Sequence, residues 1–350
     1  MGRWPAGGGT MAAFLRLRPG APGVGGSVVT ARLLEALARP GCPLCRVLAA
    51  TAGHHLEALL DERVTLPHAH REFRASRGFC GEHAWALPPA ALAAQSARGA
   101  AMLYAPLLAA LLDRWPDTDR RRRWLTPEQP CPLCATLARS SAAYLAEFAA
   151  LLRREAAPAL ASAPCLAHLR VLAPRLAPGS LAHLAAATER ARHRATPRDR
   201  LALGTGYRPV DPFPTAPTCP VCAAATAAAL DAATPGLCRA HAWAQFAAGR
   251  PGSEAVRPRA GAPGECPACR AGAAATVAAL ATRQPAHRLC LGHLRQALGR
   301  DWLDLTVAYW SLAQLERDLA RFVASGNAVF TGRLTAAERR SWLVAIARWT

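Results

Sequence analysis

All twelve cysteines of this 350-residue chain fall into short motifs that place two metal-type ligands three positions apart. Four motifs are Cys-Pro-x-Cys (Cys42 and Cys45, Cys131 and Cys134, Cys219 and Cys222, Cys266 and Cys269). Four are Cys-x-x-His (Cys80 and His83, Cys165 and His168, Cys238 and His241, Cys290 and His293), and the two kinds alternate along the chain. Read in order, each Cys-Pro-x-Cys is completed by the next Cys-x-x-His. This gives four Cys3His sets: Cys42, Cys45, Cys80, His83; Cys131, Cys134, Cys165, His168; Cys219, Cys222, Cys238, His241; and Cys266, Cys269, Cys290, His293.

Zinc takes four soft or borderline ligands at tetrahedral corners, and two knuckles supplying two ligands each meet that demand without strain. Proline after the first cysteine presets φ for the turn, and the second cysteine opens a helix, whose N-terminal amides and dipole favour thiolate. The expectation is therefore four structural zinc ions per chain. Buried free cysteines would not explain a repeated Cys-Pro-x-Cys. Iron–sulfur ligation is the chemical competitor, although cluster motifs are usually all cysteine. A c-type haem requires histidine directly after the second cysteine, where this chain has Arg46, Ala135, Ala223 and Arg270. Thioredoxin-like chemistry expects a strand beside the motif, and no convincing strand is visible.

The start, MGRWPAGGGTMAAFLRLRPGAPG, lacks the apolar stretch of a secretory signal, and Met11 is an alternative start. The most apolar run, Ala100 to Leu112, contains Pro106 and is too short to cross a bilayer. A cytoplasmic, soluble protein is expected, with no membrane partner; there thiols stay reduced, which favours metal over disulfides.

Every one of the 42 basic residues is arginine, and the formal charge is +19. The arginine excess is spread as +6, +6, +6 and +1 over residues 1–130, 131–215, 216–300 and 301–350. An even spread reads as solvated surface rather than a nucleic-acid stripe. Arg120 to Arg123 beside Trp124 reads as a solvated turn flanked by Asp117 and Asp119. The segment from Arg190 to Arg200 is the best candidate for phosphate contact.

Much of the apolar content is alanine, which favours helix but buries little area. The fold class expected is mainly α: repeated units of zinc knuckle plus helix, with four Cys3His sites arranged as two halves. Helical periodicity covers Arg46 to Val64, Leu137 to Leu152, Ala100 to Trp115 and Asp301 to Ala324. Thr335-Ala-Ala-Glu338 is a capping box opening a last helix. The organisation expected is a disordered leader over 1–35, zinc units over 36–126 and 127–207, a proline-rich linker over 208–217, and zinc units over 218–260 and 261–350, the last carrying the C-terminal helices. The third unit is the shortest and depends on its neighbour for a core.

With Cys42-Pro-Leu-Cys45 and the string Arg71 to Trp85, which ends Gly-Phe-Cys80-Gly-Glu-His83-Ala-Trp85, the chain resembles an uncharacterised bacterial family of Cys-Pro-x-Cys and Gly-Phe-Cys-x-x-His proteins. Leu319 to Phe330, Glu338 and Ser341-Trp342 are similar to that family's closing segment, and the resemblance spans roughly residues 40 to 350. It implies zinc-finger-like cysteines and no established activity. The chain departs from the family at Ser325-Gly-Asn-Ala-Val, where the family carries a charged stretch.

His54, His55, His68 and His70 read as loop or surface histidines, since an i, i+2 pair does not converge on one helix face. Without lysine, a Walker loop and Schiff-base chemistry are excluded. Gly204-Thr-Gly206 is a turn, and no catalytic residue, organic cofactor site or small-molecule substrate is indicated. The role expected is a non-enzymatic scaffold whose partner is another protein. A nucleic-acid-binding regulator is the first alternative and a zinc–thiolate redox sensor the second.

Overall fold

The computed structural model describes residues 28–154, 162–194, 196, 219–232, 237–249, 266–282, 284, 289–298, 303–327 and 329–349. The fold is mainly helical, with no strand among the described residues. The first half contains α1 (Val28–Leu37), α2 (Pro43–Ala58), a π-helical turn (Leu59–Arg63), α3 (Pro67–Ala75), α4 (Gly81–Ala84), α5 (Leu87–Ala93), α6 (Ala97–Asp113), α7 (Thr118–Trp124), α8 (Pro132–Arg154), α9 (Leu166–Leu172), a 3-10 turn (Ala173–Arg175) and α10 (Pro178–Arg194). The second contains α11 (Pro220–Asp231), α12 (Arg239–Ala247), α13 (Pro267–Ala281), α14 (Leu291–Ala297), α15 (Leu305–Ala324) and α16 (Ala336–Trp349).

Each half is organised around two helices that open with Cys-Pro-x-Cys. At one end of the first pair, Leu44 and Val47 from the start of α2 share a buried cluster with Tyr144, Leu145 and Phe148 from late α8. At the other end, Leu56 from late α2 shares a cluster with Leu133 from the start of α8. The helices are therefore antiparallel. In the second half, Ala229 at the end of α11 clusters with Ala268 at the start of α13, so that pair is antiparallel too. Its packing is close because its residues are small: a Cβ on Gly272 would lie 3.2 Å from the Ala225 carbonyl oxygen.

α15 and α16 return to the first half and pack on α6. Trp342 and Ile346 of α16 and Leu312, Leu315 and Leu319 of α15 join the same core as Tyr104, Leu107 and Leu111 of α6. Phe79, Phe73, Tyr104 and Trp349 meet edge-on in series, with centroids 5.1, 5.2 and 5.8 Å apart, the T-shaped geometry that ring quadrupoles favour.

Several boundaries differ from expectation. α1 runs into the segment expected to be a leader: Leu33 is fully buried and Thr30 Oγ1 donates to Glu147 Oε1 of α8 at 2.9 Å. Residues 1–27 and the linker 208–217 lie outside the described residues. The helix expected to reach Val64 gives way after Ala58 to the π turn. α15 begins at Leu305, where Asp304 Oδ1 accepts from the amides of Thr306 and Val307. The capping box is present: the Thr335 amide donates to Glu338 Oε2 at 2.6 Å and the Glu338 amide to Thr335 Oγ1 at 3.2 Å. Among the described residues no helix is long and apolar enough to cross a membrane.

Candidate metal centres

All eight knuckles are built the same way. The cysteine that opens each motif stands directly before a helix, and its carbonyl accepts from the amide four residues on at 2.8–3.1 Å. It is the N-cap residue, with extended backbone, at Cys42, Cys80, Cys165, Cys219, Cys238, Cys266 and Cys290. The second ligand, cysteine or histidine, is then the third residue of the helix. In the Cys-Pro-x-Cys knuckles proline occupies the first helical position, where its missing N–H costs nothing. The Sγ atoms of Cys42 and Cys266 also accept from the amides of Cys45 and Cys269, at 3.5 Å each. Sequence reasoning put the helix start at the second cysteine; it lies at the proline.

The four clusters combine these knuckles in a nested order, and this corrects the sequential pairing. Site 1 joins Cys42 and Cys45 to Cys165 and His168, and site 2 joins Cys80 and His83 to Cys131 and Cys134. Site 3 joins Cys219 and Cys222 to Cys290 and His293, and site 4 joins Cys238 and His241 to Cys266 and Cys269. All sixteen residues expected as ligands fall within these four Cys3His groups, but with different partners. The reason is the antiparallel packing. α2 starts at site 1 and ends near site 2, whereas α8 starts at site 2 and ends near site 1. The segments 36–126 and 127–207 therefore share two sites, and so do 218–260 and 261–350. Spacing in the sequence carried no signal of this, because either pairing gives a Cys3His set.

The distances suit a tetrahedral ion. Bonds of about 2.3 Å to sulfur and 2.0–2.1 Å to nitrogen give tetrahedron edges of roughly 3.8 Å between sulfurs and 3.5 Å between sulfur and nitrogen. The recorded Sγ–Sγ separations are 3.7 Å at sites 1 and 2 and 3.8 Å at sites 3 and 4. The Sγ–Nδ1 separations run from 3.2 to 3.6 Å. Every histidine presents Nδ1. A disulfide would bring two sulfurs to about 2.05 Å, so these are not cystines.

The electrostatics agree. At site 3, hydrogen bonds with Cys222 and Cys290 hold the Cys219 thiol far below its ordinary range, and bonds with Cys219 and Cys290 push Cys222 far above it. Bonds to Cys219 and Cys290 also push His293 up to about 10. At site 1, burial opposes protonation of His168, yet bonds to Cys165 and Cys42 carry it up to about 10. At site 2, the bond with Cys131 and then burial push Cys80 up to about 11. Three sulfurs and an imidazole this close must share protons unequally; a divalent cation at the centre would replace those protons and balance the thiolates.

Other candidates disperse. His54 is exposed beside Glu57, and His70 Nε2 donates to the Val64 carbonyl at 2.6 Å. Among the described residues, His54, His55, His68 and His70 do not gather into a ligand cluster. The arginine run expected to be a solvated turn is helix α7, capped by Asp117 Oδ1 on the Arg120 amide at 2.9 Å. Arg121 is only 2 % exposed and stacks on Trp115, to whose carbonyl Nη1 donates, while Trp124 is 6 % exposed under Arg77. Arg192 is buried and paired with Glu189 at 3.1 Å. Arg198, Arg200 and Gly204 to Gly206 lie outside the described residues. No family model, curated protein or solved structure matches this chain, so its resemblance to the Cys-Pro-x-Cys proteins rests on the motif residues alone.

Proposed function

We propose that the four centres hold zinc and that the protein is a non-enzymatic scaffold, whose metal-pinned helices present a surface to a partner protein. The observation that carries this is the completeness of each site. A catalytic zinc keeps one position open for water or substrate, whereas four protein donors stand at tetrahedral spacing in each of the four clusters. Thiolate with imidazole in that geometry favours zinc over harder cations. The sites also sit where a structural ion is useful, at both ends of each antiparallel helix pair. We place the chain with the Cys-Pro-x-Cys proteins on its motif residues.

A protein partner is favoured over nucleic acid because Arg121 and Trp124, the heart of the densest basic stretch, are turned inward. On α15, by contrast, Val307 is 43 % and Trp310 59 % exposed one turn apart, an apolar pair of the kind enriched in protein interfaces. Elemental analysis of the purified chain tests the metal reading: zinc near four equivalents supports it, and iron, or reactive thiols without metal, overturns it. Affinity capture with and without nuclease tests the partner. A partner retained after nuclease supports the scaffold; nucleic acid that co-purifies and is lost with salt overturns it in favour of a nucleic-acid binder.

A further inference from the structure

Two consecutive residues at the end of α16 hold two different metal knuckles. Arg348 donates from Nη1 to the carbonyl of Leu289, the residue before ligand Cys290 of site 3, and from Nη2 to Ser311 Oγ of α15 at 3.2 Å. Trp349 stands over Gly78, two residues before ligand Cys80 of site 2: a Cβ on Gly78 would lie 3.3 Å from Trp349 Cδ1. Gly78 has φ +87°, so the turn delivering Cys80 has no side chain there and the indole closes on its backbone. The indole also meets the Tyr104 ring edge-on in the core. α16 also packs on both knuckle helices, α4 of site 2 and α14 of site 3.

We propose that α16 is a latch between sites 2 and 3: metal at site 3 fixes the Leu289–Cys290 backbone that Arg348 grips, and thereby holds the C-terminal helix on the N-terminal half. This rests on the reading that the centres are metal-bound. A Cys3His set around a dication carries a net charge of about −1, a suitable neighbour for the part-buried Arg348 guanidinium. Burial pulls Arg348 below the ordinary arginine range, and Cys219 and Cys290 oppose that pull, which places the site 3 sulfurs within electrostatic reach of it. Without the ion the knuckle loses its anchor, the grip on the Leu289 carbonyl fails, and Trp349 leaves the turn before Cys80. Site 4 lies at the far end of the α11–α13 pair, in a separate core cluster that, among the described residues, includes none from α16.

The test is hydrogen exchange by mass spectrometry on the full-length metal-loaded protein, with metal content measured on the same samples. Cys290→Ser breaks site 3 and Cys238→Ser breaks site 4. Loss of one metal from each is expected, with exchange over residues 336–349 and 97–111 accelerated about tenfold or more in the first variant and unchanged in the second. Exchange over 336–349 that stays at the wild-type rate in Cys290→Ser, despite the lost metal, overturns the latch but not the metal reading; so does an equal effect from Cys238→Ser. A wild-type protein without metal overturns both. Should Cys290→Ser fail to fold, Arg348→Met serves instead: full metal content, faster exchange over 336–349 and faster transfer of one metal to a chromogenic chelator are expected, and no change in either rate overturns the latch.

Discussion

In every knuckle the two ligands occupy the N-cap and third positions of a helix, which brings both side chains to one side of the first turn, where the amide dipoles favour thiolate. The knuckles themselves were legible in the repeated Cys-Pro-x-Cys; the helix start was set two residues late, at the second cysteine, although proline suits the first helical position. The capping box at Thr335 and Glu338 was equally legible, since its chemistry is local. Thr335→Ala is expected to cost about 1 kcal/mol of stability, measured by denaturant titration. Glu338 is held below the ordinary carboxylate range by the Thr335 amide and Arg321. Its contribution is thus present at neutral pH and lost as the pH falls through its lowered value. The stability gap between wild type and Glu338→Gln should stay constant from pH 7 to 5 and narrow only below about 4.3, the ordinary glutamate value. A gap that narrows already between pH 7 and 6 would contradict the assignment. The turned-in Arg121 was not legible, because Trp115, on whose ring it stacks and to whose carbonyl it donates, lies past the end of α6 and meets it only when α7 folds back there.

Helix existence followed from periodicity at the level of elements, but the way the helices pair did not. A Cys3His set is satisfied by either order of knuckles, and what selects the nested order is the burial of Leu44, Val47 and Leu56 of α2 along an α8 that runs the opposite way. The two pairs differ in how much they bury. The α2–α8 pair buries Tyr144, Leu145, Phe148 and Leu152, whereas around site 4, among the described residues, only Leu237 and Trp243 are large and buried among alanines and cysteines. The second half should therefore depend more on metal. Stripping the ions with a chelator at neutral pH is expected to unprotect residues 219–249 and 266–297 well before residues 137–152 of α8, followed by hydrogen exchange; simultaneous loss would mean one cooperative core. Gly272→Val, which drives a branched side chain toward the Ala225 carbonyl, should cost about 1–3 kcal/mol, seen as a lower denaturation midpoint with the N-terminal half unaffected. An unshifted midpoint would show that α11 and α13 are not in close register.

For the whole molecule, the two halves repeat one plan, an antiparallel helix pair with a Cys3His cluster at each end, and α6, α15 and α16 join them. The duplication was visible in the order of motifs; the joint was not, because it depends on Trp349 and Arg348 meeting knuckles more than fifty residues away in sequence. Metal affinity at all four centres is expected to fall as the pH is lowered, because protons compete for the thiolates and imidazoles, and competition with a chromogenic chelator across pH measures it. The most direct test of the nested, metal-clasped architecture is native-state alkylation of Cys42→Ser, read cysteine by cysteine. Cys45 and Cys165 should become reactive together while Cys80, Cys131 and Cys134 stay protected. Reactivity appearing at Cys80 with Cys45 would restore the sequential pairing, and uniform labelling of every cysteine would contradict the metal centres altogether.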